Sequence, residues 1–133
     1  MDMEDLMILL QKRYNVLREI ARITDELSEA VTREDHVSAS LLLDMRGDEL
    51  ERYEACRENI MLLAETGPEE ARIVRELVLS DSLPAHLPGG FEEQKIYELR
   101  HKTDELAGII REKDRNLNRR VSGDRSFYTK TTK

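Results

Sequence analysis

The side chains that could do chemistry in this sequence are few and scattered. The three histidines, His36, His86 and His101, lie far apart along the chain, and none has the His-x-x-x-His spacing that sets two metal ligands on one helix face. A single cysteine, Cys56, excludes an intramolecular disulfide and a cysteine-based zinc site. It sits between Ala55 and Arg57-Glu58, a setting for packing rather than for a nucleophile. Gly89-Gly90 lacks the Lys-Ser/Thr pair that completes a phosphate loop, and no Ser, Cys or His stands in a triad-like setting. The 28 carboxylates include no pair set apart for acid–base work; their spacing is that of solvated helix faces. Arg13 interrupts an apolar stripe and reads as an edge residue that snorkels or meets a carboxylate on a neighbouring helix.

These residues decorate helices. A chain of 133 residues allows one domain with one modest core. With 37% charged and 39% hydrophobic residues, the apolar positions must be arranged economically. Six aromatics, no Trp and three Pro argue against a sandwich or barrel. With Leu6 as heptad position a, ten of the twelve a, d and e positions from 6 to 31 are apolar, Arg13 and Thr24 being the exceptions. So broad a stripe belongs to a helix covered by at least two neighbours. It predicts a helix over about residues 3–33, roughly 45 Å long.

Thr32-Arg33-Glu34-Asp35 is the expected corner, with Asp35 as the N-cap of the next helix. No Gly or Pro marks it, so one continuous helix is the alternative. The second stripe is Val37, Ala39, Leu42, Leu43, Leu50, Tyr53, Cys56, Ile60, Leu63 and Ala64, interrupted by Arg46. Gly47 inside it costs about 1 kcal/mol against Ala and marks a bend or a close approach. Gly67 suits the end of that helix and Pro68-Glu69-Glu70 the start of another, a short one ending near Ser80. Residues 81–90, with two Pro and two Gly, read as a loop. A last helix over about 91–121 carries Ile96, Leu99, Leu106, Ile110, Leu117 and Val121, and Ser122-Gly123-Asp124 stops it. The fold class is therefore all-α: an antiparallel long-helix hairpin with an additional C-terminal helix, a coiled-coil-like bundle. Residues 1–121 form the single domain and 122–133 a flexible basic tail.

The formal charge of −7 is unevenly placed: residues 111–133 hold eight Lys/Arg against three Asp/Glu, leaving −12 on residues 1–110. An acidic body repels nucleic acid. The start, Met1-Asp2-Met3-Glu4-Asp5, is unlike a signal peptide, and no apolar run approaches the roughly 20 residues that span a bilayer. A cytoplasmic protein without membrane insertion is expected.

Two resemblances follow from particular segments. Residues 6–21 resemble the first helix of the all-α chorismate mutases, with Arg13 near the position of a family Arg. Thr24 stands where that family has a Lys. A dianionic substrate needs several converging cations, and this departure leaves the enzyme reading the weaker one. Residues 6–65 resemble the helical hairpin of the flagellar type III export chaperones of the FlgN/FliT kind: Leu9-Leu10, Leu17 and Leu27, then Ala30 to Asp35, then Leu41-Leu42-Leu43 and Arg46. The end, Gly123-Asp124-Arg125-Ser126-Phe127-Tyr128, is similar to the short Ser/Tyr-containing end of such chains.

The second resemblance implies a non-enzymatic function without cofactor or metal. Such chaperones hold the terminal helical segments of hook-associated or cap subunits before export, by helix-in-groove recognition. The alternative is a general helical scaffold protein, and a homodimer that covers the stripes is left open. The expected partner-binding residues lie on the last helix and tail: Leu99, Leu106, Ile110, Leu117, Val121, Phe127 and Tyr128. There an apolar stripe runs into the basic segment and two adjacent aromatics, and aromatics on a polar tail are frequent interface anchors.

Overall fold

The structure, a computed structural model, describes residues 3–81 and 90–132, and side chains as far as residue 121. Four helices account for it: α1 (Met3–Thr32), α2 (His36–Ala64), α3 (Pro68–Ile73) and α4 (Phe91–Thr132). α3 widens into a π-helical turn at Val74–Val78, closed by Leu79 N–H donating to Val74 O at 2.8 Å. The fold is all-α, as the stripes require. The Pro/Gly stretch expected as a loop lies, over residues 82–89, outside the described residues.

α1 is the central helix. Its buried positions are Leu6, Leu10, Arg13, Val16, Leu17, Ile20, Ile23, Thr24, Leu27 and Ala30, a face wide enough to meet both α2 and α4. Ile60 of α2 and Ile96 of α4 join Leu6 and Leu10 in one cluster with Ile73, Val74, Leu77 and Val78. Cys56 and Ile110 join Val16, Leu17 and Ile20 in a second. α2 thus runs antiparallel to α1, and α4 parallel to it. Each fully buried Leu or Ile contributes about 1.5–3 kcal/mol.

The corner is a turn, not a continuous helix. Asp35 N–H donates to Ala30 O at 2.9 Å and Glu34 N–H to Val31 O at 3.1 Å, the paired bonds of a Schellman ending. Glu34 occupies the left-handed position, with φ 59°, where glycine is usual. Asp35 then caps α2, accepting from Ser38 N–H at 3.1 Å. The chain turns here because one residue takes the αL strain and the next satisfies the new helix.

Two details differ from expectation. Gly67 is not a left-handed terminator: its backbone is extended, with φ 179°, and it is the N-cap of α3 with Pro68 in the first turn. α4 also continues past Ser122-Gly123-Asp124 to Thr132. One helical Gly costs about 1 kcal/mol, and no Pro follows to force a stop.

Candidate functional site

A polar layer divides the core. Arg13 on α1 lies between Leu10 of one cluster and Val16 of the other, and Arg100 and Thr103 lie between Ile96 and Ile110 on α4. All three are buried. Thr103 is satisfied within its own helix, donating to Leu99 O at 2.8 Å. Further along α1, buried Thr24 does the same to Ile20 O at 2.7 Å, which is how a threonine sits in the stripe without penalty.

The two arginines are held very differently. Arg100 Nη1 donates to Val78 O and to Ser80 Oγ, both at 3.1 Å; Nη2 donates to Ser80 O at 2.6 Å. Its Nε meets Asp104 at 2.9 Å. It therefore collects the last carbonyls of the π turn and ties that segment to α4. Arg13 meets no carboxylate, which was one of the two alternatives the sequence offered. It is 6% exposed, its Nε finds no partner, and it makes no ion pair among the described residues. Burial pushes its pKa below the ordinary guanidinium value; Tyr53 opposes that, Arg100 adds to it, and Asp104 and Cys56 oppose it. Asp104, the carboxylate whose charge acts on it, is already engaged by Arg100.

Other polar links join the helices outside this layer. Arg46, which interrupts the second stripe, spans to Asp114 of α4 at 2.6 Å. Lys113 of α4 meets Asp25 of α1 at 2.7 Å. Arg72 bridges α3 to Glu93 of α4 at 2.8 Å and also engages Glu69 and Glu76. Near the corner Arg120 donates to Thr32 Oγ1 at 2.6 Å and to Ser28.

None of this assembles a catalytic constellation. Cys56 is buried and free. Glu98 and His101 stand one helical turn apart, a spacing that could place two ligands together, but His101 Nε2 lies 3.0 Å from Glu105 and both are exposed. Among the described residues no group of three His, Cys, Asp or Glu is placed to hold a metal, and no helix is long and apolar enough to cross a membrane.

The residues expected to face a partner on α4 are mostly committed to the bundle. Ile110 and Leu117 are buried, and Leu99, Leu106 and Val121 are half-buried. Leu99 packs on the first cluster and Leu106 on the second. The stripe is the face α4 turns to α1, so its apolar character is already used. The side chains of Phe127 and Tyr128 lie outside the described residues.

The unpartnered apolar surface is on α2 instead. Only Cys56 and Ile60 of that helix are buried. Val37 is 84% exposed, Leu41 61%, Leu43 54% and Leu50 48%. Of the ten residues read as its stripe, Val37, Leu43 and Leu50 therefore point outward. The sequence held the signal: residues 37, 41, 43 and 50 do not share the helix face of 56 and 60 at 3.6 residues per turn. Gly47 is no close-packing point either, since a Cβ there would meet nothing within 4 Å.

No family model matches the chain, and no curated protein or solved structure matches it.

Proposed function

We propose that this protein is a non-enzymatic helical binding protein of the cytoplasm. In its specific form the reading is an export chaperone that holds the terminal helical segments of flagellar hook-associated or cap subunits. The observation that carries it is the concentration of exposed large apolar side chains on α2, where Val37, Leu41, Leu43, Met45, Leu50, Met61 and Leu62 are exposed against Ile8 on α1 and Phe91 and Ile109 on α4. Of these, Leu43, Leu50 and Met61 share one side of the helix at 3.6 residues per turn, and an amphipathic helix is a partner that such a row can bury. The resemblance of residues 6–65 to the export-chaperone hairpin supplies the identity of the client.

The test is calorimetric titration with synthetic peptides of the terminal helices of hook-associated and cap subunits. Binding is expected, and the double variant Leu43→Ser with Leu50→Ser should weaken it at least tenfold, about 1.4 kcal/mol. Phe127→Ala with Tyr128→Ala measures the share of the C-terminal end. Absence of binding to every such segment would remove the flagellar client.

A further inference from the structure

The outer face of α2 carries more than leucines. Asp44, Asp48, Glu51 and Glu58 fall within about 80° of the helix circumference at 3.6 residues per turn. All four are exposed, and none makes an ion pair or hydrogen bond among the described residues. Their neighbours on the same helix are matched: Glu49 pairs with Arg52, Glu54 with Arg57, and Arg46 with Asp114 of α4. The uncompensated charge is therefore confined to one stripe. Leu43 and Leu50 run along one border of it, with exposed Met61 at the same angle further along the helix, whereas Leu41 lies about 160–180° from them on the opposite flank. Between Leu43 and Leu50, Gly47 leaves bare backbone with nothing within 4 Å of where a Cβ would stand, so a partner side chain can approach the helix closely there.

From this juxtaposition we propose that the outer face of α2 docks a basic amphipathic helix, with leucine-like side chains along its contact edge and Lys or Arg at one-turn intervals. The proposal rests on the binding reading above and gives its partner a chemistry. Charge complementarity selects the occupant. Four unpaired carboxylates repel a like-charged helix and attract a cationic one, which gains both steering and register from them. The α2 helix of a second copy is disfavoured by the same rule, because it would set identical carboxylates against these. The rest of the body adds to the field, since residues 1–110 carry −12.

The experiment titrates the full chain with a synthetic leucine–lysine peptide of about 18 residues, five helical turns, and with its counterpart bearing Glu in place of each Lys. The lysine peptide should bind, more weakly as salt rises, and the glutamate peptide should not. Asp44→Asn, Asp48→Asn and Glu51→Gln together should weaken binding at least tenfold, as should Leu43→Ser with Leu50→Ser. A control that removes the same charge from α4, Glu98→Gln with Glu105→Gln and Glu112→Gln, should change it less than twofold. Circular dichroism and melting establish that each variant is folded. An equal loss in the control, or equal binding of the glutamate peptide, would overturn the proposal. So would a sedimenting dimer of the free chain abolished by the two leucine changes, which would give the face to a second copy. Failure of the flagellar segments while the lysine peptide still binds would remove the client's identity and leave the α2 site standing. Flagellar segments that bind regardless of every α2 change would do the reverse.

Discussion

Replacing Arg13 by Met should make this protein more stable. Arg13 is a buried cation with an orphaned Nε and no counter-ion among the described residues, and its lowered pKa has burial as its leading cause. Removing a charge from such a place relieves a desolvation penalty of several kcal/mol, and apolar replacements of buried ionic groups gain about 1–4 kcal/mol. Met retains most of the stem that packs between Leu10 and Val16 and is flexible enough to fill an irregular gap. The volume lost, on the order of 20 Å³, costs on the order of 0.5 kcal/mol as residual cavity. The expected net gain is about 1.5 kcal/mol, which raises Tm by about 6 °C for a chain of this length. Urea unfolding followed by circular dichroism should show a higher midpoint at unchanged slope. A midpoint that falls would refute the reasoning, because it would mean that the guanidinium is compensated in the folded protein by a partner of its own.

Arg100, in the same layer, should behave oppositely: Arg100→Met strands the carbonyls of Val78 and Ser80 and should cost about 3 kcal/mol, with hydrogen exchange rising first over residues 68–81. Glu34→Gly should stabilise by about 1 kcal/mol in thermal unfolding, because Glu34 holds φ 59° and glycine adopts that region without the steric cost. Acid should destabilise the fold in a defined window. The Ser38 side chain and backbone hold the Asp35 carboxylate below its usual range, Arg22 does the same to Glu19 and Arg72 to Glu69. Depressed carboxylates contribute fully above their unfolded values, about 3.9–4.3, and lose that contribution as pH falls through the lower folded values. Tm should therefore be flat down to about pH 5 and drop below about pH 4, less steeply in Asp35→Asn, whose amide can cap but does not titrate.

The periodicity of α1 made much of the fold legible. Ten apolar positions on one wide face required a helix covered on two sides, and α1 is covered by α2 and α4. Asp35 as N-cap and Pro68 in a first helical turn were readable because capping and proline chemistry are local. What sequence could not settle is which side of a helix its neighbours cover. Leu43 and Leu50 of α2 and Leu106 and Ile110 of α4 look alike in sequence, yet the first pair is exposed while Leu106 is half-buried and Ile110 buried. The difference arises from how three cylinders stack: α2 turns only the side that carries Cys56 and Ile60 to the buried clusters it shares with α1 and α4. The two arginines show the same limit. Asp104, four residues after Arg100, was readable as its partner, but nothing near either arginine in sequence says that Arg100 will also find two carbonyls and Arg13 no carboxylate.

The asymmetry between α2 and α4 is the structural argument for contact through α2. Both helices lie along α1, so each has one inner and one outer face. α4 places charged residues outward almost throughout, with Ile109 its one exposed large aliphatic between Phe91 and Leu117. α2 departs from that economy seven times, at Val37, Leu41, Leu43, Met45, Leu50, Met61 and Leu62. Scattered exposed leucines need no explanation on any protein. Leu43, Leu50 and Met61 line one border of a stripe of carboxylates left without cations, on a helix where the other carboxylates of that stretch are paired. Exposed aliphatics alone would fit many partners, and unpaired acids alone would fit solvent. Together they specify both the apolar edge and the cationic register of one helix, and neither feature contributes to holding the bundle together.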